Sequence, residues 1–258
     1  MELRHWAQGI LESTDIEGKL FSPQSLTDLN PGLPLIIDEP KRPPNMGFSK
    51  KSKTEKLPHF QEHKDPDKRA ICLHRFAGHE LLAVEIMAYV LLAFPEAPPS
   101  FRFGLAHTLK EEQGHVRLYQ DRMLDFGLNF GDLPLYRHFW NHMKFIRSPQ
   151  EYVSMMSLTF EMANLDFAPI YGKSFAVAGD LESKALMDQI LHDEIAHVRF
   201  GFRWLNNMKD KADTPWEAYE KSLPPLLTPK RAKGFYVIEE HRKKCGLSDK
   251  WIENIKNA

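Results

Sequence analysis

Apolar residues recur at helical spacing along most of this chain, and the breaks in that spacing fall at proline and glycine. Residues 1–13 read as a short helix with Trp6, Ile10 and Leu11 on one side. From Asp67 onward the pattern predicts long helices at about 67–94, 99–127, 149–178 and 181–208. Pro95, Pro98 and Pro99 divide the first pair, and Gly179-Asp180 divides the second. The stretch between the pairs, GLNFGDLPLYRHFWNHMKFIRSP, is too long for a tight hairpin and predicts a helix of its own from Leu135 to Ile146. Shorter helices are expected near 214–222, 229–242 and 248–257. No alternating strand pattern survives. Two helical hairpins joined by one long crossover is the topology of ferritin-like four-helix bundles, so the expected fold is all-α.

The segment 21–66 reads differently. Eight prolines (Pro23, Pro31, Pro34, Pro40, Pro43, Pro44, Pro58 and Pro66) leave little room for helix or ladder, and Lys50, Lys51, Lys53 and Lys56 make its middle basic. It reads as an extended strap over the domain, with a partner-binding arm as the sharper alternative. The expected organisation is therefore a helix and strap over 1–66, a bundle over 67–210 and a helical extension over 211–258. Charge is balanced, 34 Lys+Arg against 35 Asp+Glu, which removes the electrostatic case for a general nucleic-acid binder. Cys72 and Cys245 are too few for a disulfide framework or a thiolate metal site. The opening residues lack a signal-peptide pattern, and the apolar run Ile86–Phe94 is half of what a bilayer needs. A cytoplasmic protein with no membrane partner is expected.

The chemistry lies in an internal repeat. Glu111-Glu112-Gln113-Gly114-His115-Val116-Arg117 and Asp193-Glu194-Ile195-Ala196-His197-Val198-Arg199 share one frame. Each contains Glu-x-x-His, a spacing that sets carboxylate and imidazole on one helix face. Each is preceded at nearly equal distance by a glutamate in apolar text: Glu80 stands 32 residues before Glu112, and Glu161 stands 33 before Glu194. One Glu-x-x-His on a helix is usually a solvated pair. Two in matching frames, with four carboxylates on bundle-facing stripes, need compensation that a metal pair supplies. Four carboxylates and two imidazoles are the ligands of di-iron and di-manganese bundles, and the donor set favours iron or manganese over calcium. The expected ligands are Glu80, Glu112, His115, Glu161, Glu194 and His197, with Glu112 and Glu194 bridging.

Residues around these follow from the same repeat. Glu111 and Asp193 could accept the free N–H of the opposite half's histidine, or could simply be surface charges. Glu85 and Asp166 stand five residues past Glu80 and Glu161, and Arg117 and Arg199 five past Glu112 and Glu194. The crossover topology then predicts ion pairs Glu85–Arg199 and Asp166–Arg117. His138 and His142 are spaced i, i+4 with no carboxylate nearby, which favours an ordinary amphipathic helix. Pro169 should kink the third helix.

The chain resembles the bacterial ferritin-like proteins catalogued as a domain of unknown function, sometimes mislabelled rhamnosyltransferases. The resemblance is carried by ILESTDIEGKL, EPKRPPNM, HELLAVEIMAYVLLAFPEAP, EEQGHVRLYQDRM, FGDLP and DEIAHVRFGFRWL, and covers almost the whole chain. It implies a di-metal bundle with the six ligands above, and its nearest functional analogues are di-iron oxygenases, including the tRNA-modifying hydroxylase type. Relatives often carry His-Ile where this chain has Gly78-His79, a departure beside the first ligand. The expected activity is a non-haem di-iron (or Mn/Fe or Mn) oxidase or oxygenase that activates O₂ against an unidentified organic substrate. With no flavin or nicotinamide fingerprint, electrons would come from a separate reductase. A ferroxidase and a metal-free interaction bundle are the competing classes. The lysine-rich strap is the sole feature that would serve a tRNA substrate; the sequence leaves the oligomeric state open, a homodimer being the commonest assembly.

Overall fold

The computed structural model describes residues 1–50 and 56–258, so Lys51 and Lys53 of the basic strap lie outside the described residues. The protein is all-α: among the described residues the only β pairings are two isolated bridges, Glu2 with Thr27 and Phe48 with Leu135. The chain divides into two compact units, Met1–Lys144 and Phe145–Ala258.

In the first unit, α1 (Leu3–Glu12) and the single turn α2 (Ile16–Lys19) precede a long hairpin of α3 (Pro66–Ala93) and α4 (Pro99–Leu124). Local chemistry sets these ends. Pro66 opens α3 under an Asp65 side chain that accepts from the Asp67 N–H, and Pro98-Pro99 starts α4. α1 buries Leu3, Trp6, Ala7, Ile10 and Leu11, one helix stripe, and packs against α3. With α4 also against it, α3 is buried nearly all round. By length and composition α3 could cross a bilayer, which the shorter run Ile86–Phe94 did not suggest. Its apolar window is 89% buried within the protein, the condition of a core helix.

The strap is extended, as its prolines dictate, and is tied down at intervals. The Leu35 N–H donates to the Leu92 carbonyl, Lys41 N–H to Leu11, Ser49 N–H to Leu135, and the Trp140 indole to Asp38. Its strongest tie is ionic. Lys19 Nζ lies 2.9 Å from Glu85 of α3, and Arg42 Nε donates to the same carboxylate at 3.1 Å, all three side chains being almost fully buried. Arg102 of α4 likewise pairs with Asp28 of the strap at 2.6 Å.

In the second unit, α5 (Pro149–Met155) runs through a π-helical turn, Met156–Glu161, into α6 (Met162–Val177). Gly179, at φ +85°, and the N-cap Asp180 turn the chain into α7 (Leu181–Met208). α8 (Pro215–Lys221), α9 (Glu239–Lys244) and α10 (Asp249–Asn257) follow, and α8 and α9 pack on the hairpin. The C-terminal segment is anchored by Asp166 of α6. That carboxylate pairs with Arg242 at 2.6 Å and accepts from the Gly234 and Ile238 N–H groups.

Three expectations change. The crossover forms only a 3-10 turn at Trp140–Phe145 rather than a helix over 135–146, so His138 and His142 do not share an α-helical face. The predicted helix 229–242 is a 3-10 turn, Pro229–Ala232, and the separate α9; Gly234 between them lies so close to Asp166 that a Cβ would stand 2.8 Å from that residue's Cβ. α6 runs through Pro169 without a break, and the departure from α geometry sits at least two turns earlier, in the π turn.

Two stability predictions follow from buried polar groups. Glu85→Ala strands Lys19 and Arg42 in the interior and should cost about 3–5 kcal/mol in urea unfolding. Asp188→Ala, which breaks an exposed pair with Lys184, should cost less than about 0.5 kcal/mol. His74 accepts the Gly131 and Leu133 N–H groups at 3.1 and 3.3 Å, and burial lowers its pKa to about 4 from 6.5. The unfolded chain therefore takes up a proton that the folded chain refuses between those values. Stability should be complete above pH 6.5 and fall toward pH 4, by roughly 3 kcal/mol in all. His74→Gln should flatten that part of the pH–stability curve.

Candidate metal centre

In the first unit the hairpin brings Glu80 of α3 beside Glu112 and His115 of α4. One ligand atom from each lies within 4.8 Å of the others, and all three side chains are at most 5% exposed. His115 Nδ1 stands 3.2 Å from Glu112 Oε2, the contact that Glu-x-x-His spacing produces. The glutamates sit here because α3 and α4 pack along stripes otherwise made of Ala77, Leu81, Val84, Leu105 and Leu109.

The second unit supplies Glu161, Glu194 and His197, each at most 2% exposed. His197 Nδ1 lies 3.6 Å from Glu194 Oε2, a looser version of the same pair. Two features distinguish this half. Asn164, three residues past Glu161 and so on the same helix face, donates to Glu194 Oε1 at 2.7 Å; the equivalent position after Glu80 is Ala83. Glu161 itself is the last residue of the π turn, a geometry found at functional sites far above its overall frequency. The turn is held from inside and outside. Thr159 Oγ1 donates to the Ser154 carbonyl five residues back at 2.8 Å and lies 2.9 Å from the hydroxyl of the fully buried Tyr219. α7 approaches so closely that a Cβ on Gly201 would lie 2.2 Å from the Ser157 Cβ.

The flanking carboxylates find partners other than those expected. Glu85 is held by Lys19 and Arg42, and Asp166 by Arg242, while Arg117 reaches Glu17 and the Leu20 carbonyl and Arg199 the Lys244 carbonyl. The pairs Glu85–Arg199 and Asp166–Arg117 are thus replaced. Five residues past a candidate ligand, Glu85 and Asp166 face away from it, toward the strap and the C-terminal segment. Glu111 lies 3.4 Å from His107 one turn back, and Asp193 accepts from Gln189 at 2.8 Å. His79, next to Glu80, packs edge-on against His138 with ring centroids 4.8 Å apart. Burial pushes both Cys72 and Cys245 up to about 12, so neither thiol is poised as a nucleophile.

Asn164 and the π turn escaped sequence reasoning. The signals were present: a polar amide one turn from a candidate ligand inside an apolar helix, and a glycine in α7.

Residues 4–253 match a family model described as a protein of unknown function (DUF455). No curated protein and no solved structure matches the chain.

The tight approach at Gly201 gives a direct check on the π turn. Gly201→Ala should destabilise the protein by about 1–3 kcal/mol through overpacking against Ser157. The double variant Gly201→Ala/Ser157→Gly should recover part of the loss, read as a coupling energy in a double-mutant cycle of denaturant unfolding.

Proposed function

We propose, for a chain that belongs to the DUF455 family of proteins of unknown function, that it is a ferritin-like protein whose repeated glutamates and histidines hold two metal ions, and that it acts as a di-iron (or Mn/Fe or Mn) oxidase or oxygenase. The observation that carries this reading is the buried triad Glu80, Glu112 and His115, with ligand atoms within 4.8 Å of one another, repeated in sequence and in burial by Glu161, Glu194 and His197. Carboxylates gathered this closely away from water repel one another, and a divalent cation relieves them better than any neutral partner. Oxygen and imidazole donors without thiolate fit iron and manganese.

In this reading Glu80, Glu112, His115, Glu161, Glu194 and His197 would hold the ions, with Glu112 and Glu194 the residues that would be shared between them. Glu111 and Asp193 are the candidates to fix the histidine tautomers from the opposite half. The ions, when bound, would supply activation of O₂ and the oxidising power directed at an organic substrate. The chain's own part is to hold the ligands apart from water and at fixed angles. Asn164 ties down one oxygen of Glu194, and the π turn sets the position of Glu161, so the two metal positions would differ. A separate reductase would deliver electrons.

Elemental analysis of the full-length protein beside a Glu112→Ala/Glu194→Ala variant tests the reading. About two iron or manganese ions per chain, lost in the variant, are expected. A folded wild-type protein that neither contains metal nor takes up ferrous iron anaerobically would sink it. Oxygen uptake that continues with an external reductant separates an oxygenase from a ferroxidase, whose uptake stops when the added ferrous iron is oxidised.

A further inference from the structure

Cations inside either unit characteristically meet an oxygen. Lys19 and Arg42 hold Glu85, Arg102 holds Asp28, Arg242 holds Asp166, and Arg69 donates to the His63 carbonyl. Arg231 differs. It belongs to the 3-10 turn Pro229–Ala232, which packs on the π turn, and its guanidinium lies over the Phe160 ring, 5.3 Å from the centroid. Among the described residues no carboxylate or carbonyl meets that guanidinium. It is mostly buried, and loss of water lowers its pKa with no nearby anion to offset the effect. A ring face alone compensates a desolvated cation weakly, by about 0.5–2 kcal/mol.

The chain leaving this turn follows the same helix. Phe235 packs edge-on against Phe167 of α6, ring centroids 5.5 Å apart. Phe160 and Phe167 are seven residues apart, so Arg231 and Phe235 mark two points about 10 Å apart along one helix face. Phe235 and Tyr236 nevertheless remain 70% and 57% exposed. The result is a strip with a guanidinium oriented on a ring at one end and exposed aromatic rings at the other. Lys233, the next cation along, is turned to the carbonyls of Lys256 and Ala258.

We propose that Arg231 anchors a binding site for a small organic carboxylate, whose acid group pairs with the guanidinium and whose apolar body lies on Phe235 and Tyr236. A planar guanidinium already oriented on a ring matches a carboxylate through two parallel hydrogen bonds. Arg231 stacks on the residue that precedes Glu161, so in the metal reading the bound acid is the substrate class; that last step rests on the metal reading, whereas binding does not.

The test is titration of benzoate into the full-length protein, as purified and after chelator treatment, followed by calorimetry. Saturable binding in both preparations is expected, weakened about tenfold or more in an Arg231→Gln protein that still unfolds cooperatively, while Arg231→Lys recovers part of the acetate affinity. Benzyl alcohol should fail to compete, and Phe235→Ala should weaken benzoate more than acetate. Equal benzoate affinity in Arg231→Gln, equal binding of benzyl alcohol, tighter binding of inorganic phosphate, or no saturable benzoate binding below about 10 mM would each overturn the proposal. Benzoate binding by a protein that contains no metal as purified and takes up no ferrous iron anaerobically would leave this site standing and remove only the metal reading. Two bound metals without benzoate binding would do the reverse.

Discussion

A carboxylate carried from water into a helical interior costs several kcal/mol unless a cation comes with it, and this chain buries such groups repeatedly. The burden is met in two ways. Glu85, Asp28 and Asp166 meet lysine or arginine from the same unit. Glu80, Glu112, Glu161 and Glu194 are grouped with histidine instead, on the stripes where each hairpin packs. Imidazole and carboxylate together are a poor charge pair but a good ligand set, which is the chemical reason to read the second group as metal-binding.

The first arrangement also explains the segments outside the hairpins. Glu85 and Asp166 are repeat-related, each five residues past a candidate ligand. The counter-charges of Glu85 come from Lys19 and Arg42, in the N-terminal helix and strap, and that of Asp166 comes from Arg242, near the C-terminus. Equivalent positions of a duplicated hairpin are thus neutralised by unrelated appendages. The strap cannot hold itself by regular structure, because its prolines remove donors and forbid helix. Ionic ties and single backbone hydrogen bonds to α1, α3 and the crossover do that work instead.

Local signals made much of this legible. Prolines and capping side chains set the ends of α3, α4, α5 and α7 within about three residues of expectation. The grouping of Glu80 with Glu112 and His115 follows from i, i+3 spacing and one short hairpin connection, both visible in the sequence. What was illegible depends on distant chain. The partners of Glu85 and Asp166 lie 43 to 76 residues away, so a repeat-based pairing rule could not find them. The crossover is apolar enough for helix, yet its residues are drawn into ties with the strap at Asp38 and Ser49. Helix propensity there loses to tertiary contact.

The duplication is least exact where chemistry is expected to differ. α3 passes Glu80 as a regular helix, whereas the chain reaches Glu161 through a π turn that fits only because α7 has Gly201 opposite Ser157. The same half adds Asn164 on Glu194 and Tyr219 on Thr159. A π turn sacrifices regular i→i−4 hydrogen bonds and inserts a residue's worth of rotation, so it persists only when its surroundings over-determine it. Here the surroundings include Tyr219 from α8 and Arg231 from the following turn, stacked on Phe160. The C-terminal segment therefore packs on the π turn that leads to Glu161 as well as neutralising Asp166. The two candidate ligand sets, alike in sequence, thus differ in their surroundings, and the half reached through the π turn is also the half that carries the guanidinium stacked on Phe160.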